Sequence, residues 1–536
     1  MTPRLRRALA LALASLTAAG SLAAQQPATT AATPSSCPIE TMQPQPIGIA
    51  NLQRTKVINA KSDEEAQKAL RDATKLLFDP KAASNSLGRD YLLAQFFALV
   101  MEHGGEMSTR GKLGLPGDAN ATVDLVVQLD SLLTIVEKGN AQCKKEVDEW
   151  RQYKPYMNNV QGAYKALGAG KFAEAESMAK RALILYKEGP QPYDVLWRTA
   201  KEKKDIDGEI SNLTLAIEKL AGDTLNGNVR ANLMFNLGRE QQDAAQGSPE
   251  PKKGELLRGA AKAYIAVARE YPQSDEAPFA LNGVSVASAI LKDATGCQQV
   301  IDAVKSAVDK FSDIALAQAG VCATSVNKTL DAVIFFDAAS KKNPYSRDYL
   351  YNLSAMLYEA HRPQQMPPVV KKLLELDPSN PDNVMLMAYA FKGFADSATI
   401  PLDRAKKDST AKYAKALPAD KKALRDSIAF YRAIQHPLID SVTAYSDLAD
   451  KMPHKLFFTS VDRLREKTLV EGEIENRGKT ARVFTFELEF IGKDGVSLGK
   501  QTVTTESIAA GATGKFKAAL DKGGALGVKY AALPLK

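Results

Sequence analysis

Four cysteines and four histidines are the scarcest reactive side chains of this 536-residue chain, and their placement limits the chemistry it can support. His103, His361, His436 and His454 are scattered, and no HExxH pair puts two of them on one helical face. A zinc site needs three or four ligands converging at about 2.0–2.3 Å, and the sequence offers no clustered set. His361 and His436 each lie near a proline where a helix is expected to end, a position that suits the helix dipole. The nearest approaches to a phosphate-cradling GxxxxGK[ST] loop are Gly511-Ala512-Thr513-Gly514-Lys515 and Gly499-Lys500. No helix follows either of them to supply N-terminal N–H groups, so both read as hairpin turns. Asn282-Gly283-Val284-Ser285-Val286 lacks the second glycine of a nucleophile elbow. Glu64-Glu65 opens a helix, and Glu487 and Glu489 lie on a strand face; neither pair makes the fixed-separation cleft of catalytic carboxylates. The residues point to a chain with no catalytic, cofactor or metal site.

The elements that carry these residues begin with a leader. Residues 1–23 place Arg4, Arg6 and Arg7 before an apolar stretch from Ala8 to Ala19, with small residues at Ser21 and Ala23. That is the order of a secretory signal peptide. A membrane anchor is the alternative, but the run is short and Ala-rich for a span of roughly 20 residues. Pro34-Ser35-Ser36 before Cys37 does not fit a lipoprotein signal. Export to the periplasm, the cell surface or the medium is expected, with no stable membrane span after cleavage. Without the three leader arginines, 67 basic residues face 62 acidic ones, a net of +5 rather than +8. A nucleic-acid surface needs Lys and Arg clustered on one face, so nucleic acid is not an expected partner. In an oxidising compartment an even cysteine count favours disulfides over metal ligands, with buried free thiols as the alternative. Cys37, Cys143, Cys297 and Cys322 allow three pairings.

Residues 24–59 are rich in Gln, Pro and Thr and read as a flexible leader. Residues 60–452 are helical almost throughout, in short helices broken by turns of Asp, Asn, Gly or Pro. A repeat runs through them. Asn343-Pro344 recurs 34 residues later as Asp377-Pro378, and Ala182 recurs 34 residues later as Ala216. Stepping back from Pro344 gives Ala339, Phe336 and Ala332; the same steps back from Pro272 give Val267, Tyr264 and Ala260. Small residues at these spacings let two helices approach closely, an aromatic ring fills the groove, and proline stops the second helix.

This pattern resembles the tetratricopeptide repeat (TPR) family, whose unit is a 34-residue helix–turn–helix. Leu316, Gly320 and Ala323 match its first-helix core positions, and Ala332, Phe336, Ala339 and Pro344 its second. Leu350, Leu353, Ser354 and Leu357 match the next first helix, and Gly170 to Tyr186 matches half of another unit. The match departs from the family at a polar loop, Gln246–Gly254, and at a Lys-rich segment after Asp396 (about 403–426). Units before Gly104 match poorly. The TPR register makes the helices carrying Cys297 and Cys322 antiparallel neighbours, which favours that pair and leaves Cys37 with Cys143. The resemblance implies an α-solenoid whose first helices line a concave face. On that face Tyr351, Tyr358, Glu359, Met385, Tyr389 and Lys392 are candidate partner-binding residues, with tyrosine packed against its neighbour helix as the alternative.

Residues 455–536 change to period-two runs with Gly-rich turns, including Asn476-Arg477-Gly478-Lys479 and Lys493-Asp494-Gly495, and predict six or seven strands. They read as a small Ig-like β-sandwich. Phe486, Leu488 and Phe490, followed by Asp494-Gly495, are similar to the F-x-L-y-D type of envelope domain, with the acidic residue displaced. The expected architecture is thus mainly α: a TPR-type α-solenoid followed by a C-terminal β-sandwich. The expected function is that of a non-enzymatic scaffold binding protein or peptide partners in the bacterial envelope. The alternative is a structural or assembly component whose Ig-like domain contacts polysaccharide or other subunits.

Overall fold

The computed structural model describes residues 37–40 and 44–534, so the expected signal peptide lies outside the described residues. The chain divides into two compact units, Met1–Gly247 and Ser248–Lys536. The division falls in the polar loop, inside the stretch expected to form one continuous array.

In the first unit the helices are α1 (Gln45–Ile58), α2 (Asp63–Leu77), α3 (Ser86–Gly104), the single turn α4 (Arg110–Leu113) and α5 (Leu125–Gly139). They continue with α6 (Lys144–Arg151), α7 (Lys154–Gly168), α8 (Phe172–Leu185), α9 (Pro190–Glu202), α10 (Ile206–Lys219) and α11 (Gly227–Gly247). A two-stranded ribbon, β1 (Met107–Thr109) with β2 (Thr122–Asp124), follows α3. Helix α1 corrects the expectation of a flexible leader through residue 59. Pro46 sits in its first turn, where a missing N–H costs nothing, and Ile47, Ala50 and Val57 are buried. Glu64-Glu65 does open a helix: Ser62 accepts from the N–H of Glu65, whose carboxylate accepts from the N–H of Lys61 at 2.8 Å. Cys37 is bonded to Cys143 with 4.5 Å between the Cα atoms. Both cysteines belong to the same buried core as the rings of Tyr91, Phe96 and Phe97 from α3, which is enclosed along most of its length. In α7 and α8 the buried alanines Ala163, Ala166, Ala175 and Ala179 line one seam.

The second unit holds α12 (Lys252–Glu270), α13 (Ala277–Leu291), α14 (Thr295–Lys305), α15 (Asp313–Ser325), α16 (Thr329–Lys342), α17 (Arg347–Glu359), α18 (Met366–Leu376), α19 (Pro381–Lys412) and α20 (Pro418–Lys451). Helices α15, α17 and α19 start 34 residues apart, at Asp313, Arg347 and Pro381. Two hairpins close tightly on a glycine: an added Cβ would lie 2.7 Å from the Phe336 ring at Gly320 and 2.4 Å from the Tyr264 ring at Gly283. That is the packing the small-residue pattern predicts. Cys297 and Cys322 are bonded across α14 and α15, with a Cα separation of 5.2 Å. The Lys-rich segment forms the end of α19, the turn at Tyr413–Lys415 and the start of α20. It extends the last pair into a long hairpin, with Pro401 and Pro437 inside α19 and α20. His436 therefore lies within α20 rather than at a helix end. His361 does follow one, just beyond α17, in a left-handed conformation with φ 55°.

The β domain has six strands: β3 (His454–Arg463), β4 (Thr468–Asn476), β5 (Thr485–Ile491), β6 (Ser497–Thr504), β7 (Thr513–Leu520) and β8 (Gly527–Tyr530). They form two antiparallel sheets, β3-β4-β7 and β6-β5-β8, around a shared core of Leu456, Ile474, Phe486, Leu488, Phe490 and Phe516. This is the order of strands A-B-E and C′-C-F in an immunoglobulin-like sandwich. Residues of β4 alternate strictly between buried and half-buried, as a strand with one face in a core must. Asp494 and Gly495 (φ 59° and 80°) make the tight β5–β6 hairpin turn, where both central residues need positive φ. Asn476-Arg477-Gly478-Lys479 is not a hairpin turn, because β4 and β5 lie in different sheets. The buried Asn476 amide instead donates to the carbonyls of Thr480 and Ile508, each at 2.8 Å, and fixes that crossover. Likewise Gly499 and Lys500 lie within β6, and Gly511 turns a crossover between sheets.

The sandwich docks on a row of inter-repeat turns. Asn343 donates to the Leu526 carbonyl at 2.8 Å, Arg347 to the Phe458 carbonyl at 2.8 Å, and Arg463 to Asp313 at 2.7 Å. Ser379 closes the open side between the sheets. Its carbonyl accepts from Leu456 at 3.0 Å, its hydroxyl accepts from Leu533 at 2.8 Å, and its N–H donates to the Tyr530 hydroxyl at 3.1 Å. The motif residues Asn343 and Asp377, one repeat apart, are thus both anchors of the β domain.

Candidate binding surface

The first helices α15, α17 and α19 turn one face into the core and leave another beside it. Leu316, Gly320, Leu350, Leu353, Leu357, Val384 and Ala388 are buried at the core positions. Between them stand the candidate residues. Tyr358 and Tyr389, on successive first helices, have ring centroids 5.1 Å apart with planes tilted by 30°. Tyr389 remains 41% exposed, so the pair packs ring on ring and still presents aromatic surface to solvent. Tyr351 is half-buried on the same row, and Glu359 is exposed at the end of α17. Lys392 pairs with Asp396 at 2.7 Å, and that carboxylate, with the Tyr358 hydroxyl, raises the ammonium pKa. Met385 stands apart. It packs beside Val384 and Tyr445 where α20 covers α19, and Ser446 approaches its sulfur at 3.8 Å. Of the six candidates the structure brings Tyr358 and Tyr389 together, and Met385 is taken up by the hairpin.

Sequence reasoning missed two apolar residues on this row, Ile314 (38% exposed) and Val321 (43% exposed). The signal was present: Val321, Ala355 and Tyr389 are spaced by 34 residues.

It also missed a buried charge cluster in the first unit. Glu240 on α11 accepts from Lys201 at 2.5 Å and from Arg239 at 2.8 Å. Burial opposes its ionisation, but these two cations outweigh burial and keep its pKa below the usual range. Burial and the neighbouring Glu240 push Glu209, on α10, up to about 7. Its Oε1 has no hydrogen-bond partner. Among the described residues no group of three or more His, Cys, Asp or Glu is arranged to hold a metal ion, and no helix is long and apolar enough to cross a membrane.

No family model matches the chain, and no curated protein matches it. Among solved structures it is similar to YrrB, a TPR protein with an unusual peptide-binding site, at 14% identity and TM-score 0.26, covering 38% of this chain and 95% of that one. It is similar to PilF of Pseudomonas aeruginosa at 12% identity and TM-score 0.25, covering 43% and 95%. It is also similar to the TPR2AB domain of yeast Sti1, in a complex with pHSP90, at 16% identity and TM-score 0.21, covering 54% and 98%. At this level of similarity the fold assignment rests on the helix pairs and their 34-residue phase.

Proposed function

We propose that the chain is an exported scaffold whose first-helix row in the second unit binds an extended protein or peptide segment in the bacterial envelope. The observation that carries this reading is the Tyr358–Tyr389 pair. Two large rings on successive first helices are left out of the core, Tyr358 half-buried and Tyr389 exposed, and Val321, one repeat before Ala355, is exposed too. Tyrosine combines contact area with a hydrogen-bonding tip, and helical hairpins hold such anchors in a preformed arrangement. Export is supported by the pairing of all four cysteines in two disulfides, which persist in oxidising compartments.

Site-specific photocrosslinking in the living host tests the reading. A photoreactive residue at position 389 or 358 is expected to trap a partner that one at Lys493, on the β5–β6 turn, does not. Crosslinks confined to the β domain would overturn it and favour a structural role for the sandwich. Substitution at the tyrosines is a better discriminator than deletion of the β domain, because deletion uncovers the buried turn at Asp377 and Ser379.

A further inference from the structure

The α19–α20 hairpin runs on past the packed repeats. From Lys406 to Leu448 no residue is buried, so its outer part is held only by contact between its own two helices. Natural proteins do not keep such a projection for stability, since it contributes little core. Its charge is concentrated at the tip. Between residues 406 and 425 seven basic side chains (Lys406, Lys407, Lys412, Lys415, Lys421, Lys422, Arg425) face two acidic ones, Asp408 and Asp420. Lys406, Lys412 and Lys422 have i,i+3 or i,i+4 partners at 3.1, 3.6 and 3.3 Å. Lys407, Lys415 and Arg425 have no ion pair among the described residues, and Lys421 lies over the Tyr413 ring at 5.3 Å. The apex itself carries one charge, Lys415, among apolar residues: Tyr413, Ala414, Ala416, Leu417 and Pro418 turn the chain, and Leu417 is 69% exposed. Behind it is an open recess of about 620 Å³, lined by Ala411, Ala416, Ala423 and Leu424 with Lys412, Lys415 and one carboxylate, Asp420.

We propose that this tip docks on the surface of a lipid bilayer carrying anionic headgroups. An exposed apolar apex inside a collar of cations matches an interface where phosphates lie just above acyl chains. A ligand of phosphates alone, such as a nucleic acid, would use the lysines and leave Leu417 without a role. This surface is separate from the tyrosine row and does not depend on what that row binds.

The test is sedimentation of the full chain with vesicles of phosphatidylcholine alone or mixed with phosphatidylglycerol. Binding is expected to the mixed vesicles only and to weaken as salt is added. Each reversible lysine contact near an anionic surface changes affinity about fivefold, so the triple variant Lys407→Glu, Lys415→Glu, Lys421→Glu should bind at least tenfold more weakly. Leu417→Ser should reduce vesicle binding while leaving binding to heparin unchanged. Leu417→Trp should be quenched by brominated lipid. Lys407, Lys415 and Leu417 are exposed and Lys421 is half-buried, and an unchanged circular-dichroism melt confirms folding. Absence of binding to the mixed vesicles, or binding that the triple variant does not weaken, would overturn the proposal. So would loss of vesicle and heparin binding by lysine reversal together with indifference to Leu417→Ser, the pattern of a purely polyanionic ligand.

Discussion

The hydroxyl of Tyr530, in the last strand, donates to the carboxylate of Asp377 in the turn between α18 and α19, 153 residues earlier, and both side chains are buried. Burial raises the pKa of each, and the carboxylate is held by the Asn383 amide at 2.9 Å and by Arg347 at 3.7 Å. The β domain is therefore part of the solenoid's packing rather than an appended module.

Tyr530→Phe keeps the ring contacts with Phe458 and Phe486 and removes only the hydroxyl, which donates to Asp377 and accepts from Ser379. A buried acceptor that loses its partner costs about 1–3 kcal/mol. Urea unfolding should show a lower midpoint, and amide exchange should accelerate first in the turn from Asp377 to Asn380, where the hydroxyl also accepts the Ser379 N–H.

At Gly320 a side chain has no room, because the Phe336 ring lies 2.7 Å from where its Cβ would be. Gly320→Ala is expected to force the hairpin apart and to destabilise by about 1–3 kcal/mol despite alanine's better helix propensity. Thermal unfolding of the variant checks the sign. A gain in stability would mean that α15 and α16 are not held at this approach.

Glu209 is protonated in the folded chain up to about pH 7, whereas in the unfolded chain its pKa is ordinary. Between the two values the folded state binds the extra proton, so this group's contribution to stability is lost as pH rises through that window. Glu209→Gln should flatten the loss, with a larger gain in unfolding free energy at pH 8 than at pH 5.

His454 works in the opposite direction. It is buried with neither ring nitrogen hydrogen-bonded, and burial, aided by Arg482, lowers its pKa to about 4. Between about pH 6.5 and 4 the unfolded chain takes a proton that the folded chain refuses, so stability falls as pH falls. His454→Leu should remove this part of the acid sensitivity, seen as a smaller drop in melting temperature from pH 7 to pH 5.

Reducing Cys297–Cys322 releases a link between residues 25 apart in sequence. Cys297→Ser with Cys322→Ser should cost about 2–4 kcal/mol in the second unit, read from urea unfolding. A larger effect on the first unit would contradict the division of the chain.

The helix pairs were legible because core packing imposes a period: Gly320, Phe336 and Pro344 each have a steric job that recurs every 34 residues. The six strands were legible because Val470, Ile474 and their polar neighbours alternate with the pleat. Helix α1 was not, because Gln, Pro and Gly hide three buried residues in a segment of low contrast. Nor was the displacement of Met385, which depends on α20, a helix far along the chain, folding back over it.

The amino-acid order alone determined the helical repeat and the sandwich, since each follows from spacing and local sterics; it allowed three cysteine pairings, and the TPR resemblance favoured the one the structure holds. Which aromatics meet, which buried carboxylates lie beside one another, and how the repeat's own turn residues became the seat of the β domain were decided only in three dimensions. Those contacts join groups tens to hundreds of residues apart, and no local rule records which surface will lie beneath which.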